Sequence, residues 1–278
     1  MFEKVNPSHP DKIADRIAGS IVDLAYSLDS RPKIAVEVLC GHSKCYIIIE
    51  TSVFIDNDKI ESNVKRITQK EDISVEIIQV HQDPILADNQ EYSEPKCGDN
   101  GIFKGVPVSK EQKDLTNIVS KIYSKYPYDE KYIIDTQDSS IISCQSNAHR
   151  ESIKNLILSS SFDYYTWKLE INPLGYWTGG INVDSGATNR KLGSDMGDSI
   201  TGGGLHGKDL SKADITLNII AFLRAQKEQK PIDLKCSIGQ EFIDSKKYSE
   251  YIEEAEEYIE SIGGFEKFAE WGLIRPDL

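Results

Sequence analysis

The sequence lacks the features that mark membrane, secreted and nucleic-acid-binding proteins. No apolar run in its 278 residues reaches the roughly 20 that a transmembrane helix needs, and residues 1–12 hold no apolar stretch suited to secretion. We therefore expect a cytoplasmic protein with no membrane partner. The formal net charge of −13 would repel a phosphate backbone, so we expect no nucleic-acid partner.

The chain has few cysteines, and none of them form a CxxC pair. It also has no GxxxxGK[ST] phosphate loop. An odd number of cysteines without a CxxC pair argues against a disulfide framework and against a zinc site. We expect reduced thiols at Cys40, Cys45, Cys97, Cys144 and Cys236. The hydrophobic share of 39% and charged share of 28% are typical of a globular protein with one large domain or two to three small ones.

Apolar periodicity predicts alternating helices and strands. A stripe of isoleucine and leucine predicts a helix over 10–28, with Ser8 as its N-cap. We expect further helices at 57–69, 110–125, 149–159, 212–227 and from 247 onward, and strands at 33–40, 45–54, 73–80, 131–145, 165–171 and 233–242. Residues 81–109 are interpreted as a loop or lid. This order fits α+β layers whose open sheet faces need a partner, and a second copy would supply one.

The first two strands predict their own register. If Cys40 opposes Cys45 across the turn, Glu37 opposes Ile48, and Glu37 and Glu50 become diagonal neighbours on one face. The reverse face would then be apolar. We therefore expect a sheet with one buried side and one side that carries carboxylates.

The segment SHPDKIAD (8–15) places His9, Asp11 and Lys12 at the start of the first helix. Helix N-termini favour anions, a histidine donates to phosphate, and a carboxylate binds a hard cation such as magnesium. The alternative is a capped surface helix with an ordinary charged first turn.

The segment CGDNG (97–101) holds Asp99 between glycines that allow close approach to a ligand. Its alternative is a plain turn. In the glycine-rich stretch 175–207, Asp184 suits an amino group or a sugar, and Arg190 and Lys191 suit phosphate oxygens. Tyr176 or Trp177 would stack on adenine. The alternative for this stretch is a surface loop with a solvated basic pair.

The segment TGGGLHGKDLSKAD (201–214) follows with Lys208, Lys212 and Asp214. Consecutive glycines usually serve a backbone requirement. The alternative is a helix capping box formed by Ser211 and Asp214. Together the segments provide cations, carboxylates and a histidine between glycine turns, which predicts a site for a nucleotide triphosphate with magnesium.

The motifs HPDKIAD, GDNG, NPLG…GG, TNRK and GGG…GKDLSKAD occur in the order found in S-adenosylmethionine synthetases, which the chain resembles from about residue 3 to about 240. The resemblance implies three similar helix-on-sheet subdomains around a pseudo-threefold axis. They would comprise 13–100, then 1–12 with 101–172, then 173–278. It also implies a homodimer or homotetramer that makes S-adenosylmethionine from ATP and L-methionine and hydrolyses the triphosphate, with magnesium (Mg2+) and potassium (K+) as cofactors.

The resemblance also implies roles for individual residues. The leaving triphosphate would be stabilised by His9, Lys208, Arg190 and Lys191. Asp135 and Asp184 join these four in the implied ATP site. The methionine site would comprise Glu50, Asp99, Asp184, Lys212 and Ile238. Magnesium would lie at Asp11 and Asp214 and potassium at Glu37, and Glu3 matches an acidic residue of the active site.

The chain departs from the family pattern at several points. Pro7 replaces a glutamate, and we match the family's DAK motif to Asp135-Thr136-Gln137, which loses a lysine. The lid glutamine of the family is not placed within 81–96. We therefore keep two alternatives: a non-catalytic homologue that binds ATP or S-adenosylmethionine and regulates or pairs with a synthetase, and an enzyme that cleaves only triphosphate.

Overall fold

The computed structural model describes residues 1–91, 94–276 and 278 of the chain. Residues 92 and 93, in the segment predicted as a lid, lie outside the described residues. Along the described residues the elements are β1 (Phe2–Val5), α1 (Pro10–Leu28), β2 (Ile34–Gly41), β3 (Lys44–Thr51), α2 (Asn57–Thr68), β4 (Ser74–His81), α3 (Pro84–Glu91), β5 (Gly101–Gly105), α4 (Lys110–Tyr123), β6 (Glu130–Asp135), β7 (Ser140–Gln145), α5 (Arg150–Leu158), β8 (Lys168–Ile171), β9 (Ser185–Ala187), α6 (Leu192–Met196), α7 (Ala213–Glu228), β10 (Ile232–Cys236), β11 (Phe242–Ile243), β12 (Lys246–Lys247), α8 (Tyr248–Ile262) and α9 (Phe265–Trp271).

The first sheet has the strand order β4-β3-β2-β9. Its central hairpin has the predicted register, with Cys40 opposite Cys45 and Glu37 opposite Ile48. The apolar face is buried against α1 and α2, which confirms the predicted division between the two faces. The opposite face carries carboxylates beside apolar side chains that are 44% to 57% exposed, namely Leu39, Tyr46, Ile48, Ile78 and Val80.

The short strand β9 joins the glycine-rich segment to this sheet. It pairs antiparallel with the end of β2, with Gly186 opposite Cys40. A Cβ atom on Gly186 would lie 2.0 Å from the Pro10 carbonyl oxygen, so glycine is required where β9 crosses the start of α1. This contact brings the residues that follow Gly186 to the N-terminus of α1.

The second sheet has the order β1-β6-β7-β8 and packs against α4 and α5. The prediction of one strand over 131–145 was wrong, because this stretch forms the hairpin β6–β7. The chain turns between Asp135 and Ser140, where Ser139 has a left-handed φ of 48°. The turn contains neither glycine nor proline, so the usual sequence signals of a hairpin are missing.

In the third unit α7 packs on the strand pair β10–β5, and α8 packs on α7. The prediction of a loop over 81–109 was wrong where α3 and β5 form. A Cβ atom on Gly105 would lie 2.0 Å from the Ala221 carbonyl oxygen, so β5 packs directly on the backbone of α7. Residues 101–105 thus pair with a strand of the third predicted subdomain, and the division of the chain into subdomains stays a prediction.

These layers confirm the predicted α+β class of three helix-on-sheet units. The middle of each of the long helices α1 and α7 is buried. Ile17 and Ile21 in α1 and Ile219 and Phe222 in α7 are each at most 1% exposed. Among the described residues, no helix combines the length and the apolar character needed to cross a membrane.

Candidate active site

The N-terminus of α1 presents a histidine of defined tautomer. The prediction of Ser8 as the N-cap was wrong: His9 caps the helix, and its Nδ1 accepts a hydrogen bond from the Asp11 N–H at 3.2 Å. The ring proton therefore lies on Nε2, which is left as a donor. Burial and the nearby Lys191 ammonium lower the pKa of His9 to about 4, so the imidazole is neutral near pH 7.

The carboxylate of Asp11 collects donors from the segment that follows β9. It accepts hydrogen bonds from the Ala187 N–H at 2.9 Å and from Lys191 Nζ at 2.8 Å, and Arg190 Nε lies 3.5 Å away. Burial alone would raise the pKa of Asp11, but the hydrogen bonds from Lys191 and Ala187 outweigh burial and lower it. The two predicted phosphate-binding cations are thus anchored beside His9.

Two residues beside His9, Asp129 and Lys131, were not predicted as site residues from the sequence. The Asp129 carboxylate accepts the Gly180 N–H at 2.9 Å, and burial together with the charges of Asp184 and Asp11 raises its pKa to about 6. Lys131 Nζ lies 2.9 Å from Glu3 Oε2 and is close enough to His9 to lower the pKa of the imidazole. We call the set formed here the histidine cluster: Glu3, His9, Asp11, Asp129, Lys131, Asp184, Arg190 and Lys191.

A signal for these two residues exists in the sequence. Asp129-Glu130-Lys131 has the first and last residues of the family's DAK motif. It lies six positions before Asp135-Thr136-Gln137, the segment that the sequence analysis matched to this motif. Asp135 and Gln137 lie in the β6–β7 turn, where the Asp135 carboxylate accepts hydrogen bonds from the N–H groups of Gln137 and Asp138. Among the described residues no hydrogen bond or ion pair joins Asp135 or Gln137 to the histidine cluster, and the ATP-binding role of Asp135 stays a prediction.

A second set of predicted residues surrounds the start of α7. Lys208 Nζ is paired with Asp214 Oδ2 and donates to the Gly203 carbonyl at 3.0 Å. A Cβ atom on Gly203 would lie 2.7 Å from Asp214 Oδ1, which explains a glycine there. The predicted capping box was wrong, since Lys212 is the N-cap residue and Ser211 bonds to Asp209 instead.

The turn around Asp99 adjoins this second set. The Asp99 carbonyl accepts hydrogen bonds from the thiols of Cys97 at 3.2 Å and Cys236 at 3.3 Å. The Ile238 N–H donates to Asn100 Oδ1 at 2.8 Å, so the predicted methionine residues Asp99 and Ile238 come together. The charges of Asp99 and Asp214 both act on Cys97. We call the whole set the glycine-turn cluster: Asp99, Lys208, Lys212, Asp214 and Ile238.

The remaining predicted residues lie on the first sheet. Glu37 and Glu50 occupy the exposed face as diagonal neighbours, as predicted, and Glu37 Oε2 accepts the Thr188 hydroxyl. The Tyr176 ring lies edge-on to the ring of His149, with centroids 4.7 Å apart. Within the described part of the chain, no hydrogen bond or ion pair joins the histidine cluster to the glycine-turn cluster.

A buried ion cluster lies beneath the histidine cluster. Lys12 Nζ contacts Asp195 at 2.8 Å, Asp15 at 3.0 Å and His206 Nε2 at 3.2 Å. Ligand atoms of Asp15, Asp195 and His206 lie within 4.8 Å of one another, a spacing that suits a metal ion. The ammonium of Lys12 already pairs with both carboxylates, and they raise its pKa against the effect of burial. The group is therefore a salt-bridge network that ties α1 to α6.

The chain is similar to known proteins in sequence and in fold. Residues 1–84 match the N-terminal domain of S-adenosylmethionine synthetases. An S-adenosylmethionine synthase of Fusobacterium nucleatum subsp. nucleatum is 26% identical over 90% of this chain and 83% of that protein. One of Acholeplasma laidlawii is 28% identical over 85% and 76%, respectively. An unusual S-adenosylmethionine synthetase from Campylobacter jejuni has the same fold, with a TM-score of 0.74 over 99% of this chain and 96% of that chain at 19% identity.

In sequence and in α+β fold the chain is similar to the S-adenosylmethionine synthetases. The resemblance indicated by the motifs is thereby confirmed. The similarity is distant, at 26% identity to the Fusobacterium protein.

Proposed function

We propose that this protein makes S-adenosylmethionine from ATP and L-methionine and then hydrolyses the triphosphate to phosphate and pyrophosphate. The observation that carries the proposal is the gathering of Lys131, Arg190 and Lys191 with the Nε2–H of His9 at the N-terminus of α1. Cations, a neutral donor and a helix N-terminus in one place suit a polyphosphate.

The chemistry asks for positioning and for stabilisation of charge. The methionine sulfur attacks C5′ of ATP, the C5′–O bond breaks, and its electron pair leaves with the triphosphate. Because the sulfur is neutral and carries no proton, no general base is needed. The negative charge develops on the leaving group, where Arg190, Lys191 and Lys131 supply charge-assisted contacts and His9 donates from Nε2.

The carboxylates of the two clusters suit the cations that the family uses. Asp214 Oδ1 is buried and has no hydrogen-bond partner among the described residues, as expected for an oxygen that awaits a hard cation. Asp214 and Asp11 would hold Mg2+, and Glu37 would hold K+. When bound, these ions would neutralise charge on the triphosphate.

In this proposal methionine binds to the glycine-turn cluster and to Glu50 on the first sheet. Since no hydrogen bond or ion pair joins the two clusters among the described residues, we infer that the glycine-turn cluster of a second copy completes the histidine cluster. The half-exposed apolar side chains around Glu37 and Glu50 give such a homodimer a surface to pack on. The cysteines among the described residues are free thiols, in keeping with a cytoplasmic location.

The product assay tests this proposal. The purified protein is incubated with ATP, methionine, magnesium and potassium, and S-adenosylmethionine is measured by chromatography. Product that requires methionine supports the synthetase. Calorimetric binding of ATP without turnover would show a non-catalytic homologue, and phosphate release from triphosphate without any product would show a triphosphatase.

A further inference from the structure

Two cysteines meet at the turn that carries Asp99. Cys97 precedes the turn and Cys236 ends β10, and both thiols donate to the same acceptor, the Asp99 carbonyl, at 3.2 Å and 3.3 Å. The backbone of Cys97 is fixed on both sides, since its N–H donates to the Gln240 carbonyl at 2.8 Å and its carbonyl accepts the Gly239 N–H at 2.9 Å. The segments that carry the two thiols are therefore held together.

The two thiols also contact each other. A hydrogen bond with Cys236 lowers the pKa of the Cys97 thiol, and the same contact raises the pKa of Cys236. Cys97 is buried and Cys236 is partly exposed, so one thiol of the pair is open to solvent. A disulfide would replace this contact by a bond of about 2.05 Å.

The other neighbouring pair of cysteines is different in kind. Cys40 and Cys45 face each other directly across the β2–β3 hairpin, and both are buried within the first sheet. Burial raises the pKa of Cys45 to about 12, which suppresses its thiolate, and the thiolate is the reactive form. Proximity alone therefore does not make a reactive pair in this protein.

We propose that Cys97 and Cys236 form a reversible intramolecular disulfide that clamps the Asp99 turn. The oxidant is a small disulfide such as oxidised glutathione. One thiolate of the pair attacks it and expels one glutathione thiolate, and the second thiolate of the pair then attacks the cysteine sulfur of this mixed disulfide and expels the other. The two thiol protons pass to the two glutathione thiolates, and the two electrons reduce the glutathione disulfide.

The bond would change the site through the turn. Both S–H donors of the Asp99 carbonyl are lost, and a covalent link holds the turn against β10, next to the contact between Asn100 and Ile238. If Asp99 and Ile238 bind methionine, a consequence that rests on the proposed function, the clamped turn adapts less well to the substrate. We expect the KM for methionine to rise about fivefold or more on oxidation, which corresponds to a modest coupling between sites.

Mass spectrometry tests the bond itself. The reduced full-length protein is incubated with oxidised glutathione, free thiols are blocked by alkylation, and the peptides are mapped. We expect a cross-linked pair of peptides that contain Cys97 and Cys236, in the wild type and in the control C144S. We expect none in C97S or C236S. Glutathione adducts without the cross-link, or a cross-link that does not involve these two residues, would overturn the proposal.

Hydrogen exchange and kinetics test the clamp separately. Oxidation should slow exchange of the Asn100 and Ile238 amides and raise the KM for methionine, and a reducing agent should reverse both effects in the wild type but find nothing to reverse in C236S. If the reduced protein makes no S-adenosylmethionine, the proposed function fails, and the exchange measurement still decides the clamp. A cross-link with unchanged exchange would refute the clamp.

Discussion

The histidine cluster and the glycine-turn cluster hold their charged side chains in different ways. In the histidine cluster, Asp11 binds Lys191 and the Ala187 N–H, and the buried ion cluster around Lys12 supports the same helix from below. In the glycine-turn cluster, Lys208 has Asp214 and a backbone carbonyl as partners, and glycines bring the chain close. The histidine cluster is thus preorganised by buried charge. The glycine-turn cluster depends on backbone turns that a ligand or an ion can reorganise.

The largest expected effect comes from removing the cation beneath the histidine cluster. Lys12→Met would leave the buried carboxylates of Asp15 and Asp195 without the ammonium that contacts both, so we expect the free energy of unfolding to fall by about 3–5 kcal/mol. Urea denaturation measures the change. The exposed Lys125→Met should stay within about 0.5 kcal/mol of wild type. Equal stability of the two variants would show that buried charge does not hold the histidine cluster together.

A second variant tests whether Lys131 supplies the charge that Gln137 lacks. Removing one preorganised contact to the developing charge costs roughly 10²–10³ in kcat, so Lys131→Met should lower kcat by that factor with little change in folding. Gln137 lies in the β6–β7 turn, and Gln137→Lys should leave kcat unchanged. A kcat that rises in Gln137→Lys and is unaffected in Lys131→Met would reverse the assignment.

The glycine-turn cluster should respond to crowding rather than to loss of buried charge. In Gly203→Ala the new methyl group meets Asp214 Oδ1 at 2.7 Å and displaces the carboxylate. We expect the magnesium concentration needed for half-maximal activity to rise about tenfold, equivalent to roughly 1.4 kcal/mol. Gly193→Ala is the matched control, because nothing lies within 4 Å of its added Cβ atom. Similar magnesium titrations for both variants would rule out this role for Gly203.

The last effect concerns pH and the support of α6. Lys4 Nζ donates to the carbonyls of Ser194 at 2.8 Å, Trp271 at 3.0 Å and Ile274 at 2.7 Å, and burial lowers its pKa from 10.5 to about 7. Between these two values the unfolded chain binds the proton and the folded chain does not. Stability should therefore increase with pH across this interval, by about 1.4 kcal/mol per pH unit.

Comparison with Lys4→Met isolates this contribution from that of other titrating groups. The difference in unfolding free energy between the wild type and the variant should grow in favour of the wild type from pH 7 to pH 9. A difference that is constant over this interval would show that Lys4 keeps its proton in the folded protein, held by its carbonyl partners.

Sequence patterns correctly predicted the parts of the structure that depend on neighbouring residues, such as helix bounds and hairpin register. The stripe of isoleucines gave α1 its correct bounds, and the Cys40–Cys45 register followed from the period of the strands. Strand β5 was missed because its short apolar alternation stands between polar, glycine-bearing segments. Lys131 was missed because the DAK motif was matched six residues further on, and because its place depends on the long-range pairing of β1 with β6, which sets Val5 opposite Lys131. No local pattern contains that pairing.

Subunit complementation tests the central claim most directly, that one active site is assembled from the histidine cluster of one chain and the glycine-turn cluster of another. Arg190→Ala and Lys208→Ala are produced separately and together, and S-adenosylmethionine formation is measured against the wild type. We predict an active wild type, two nearly inactive homodimers, and recovered product in the mixed dimers, which contain one intact site. An active wild type with no recovery in verified mixed dimers would contradict the shared site, and an inactive wild type would contradict the proposed synthesis.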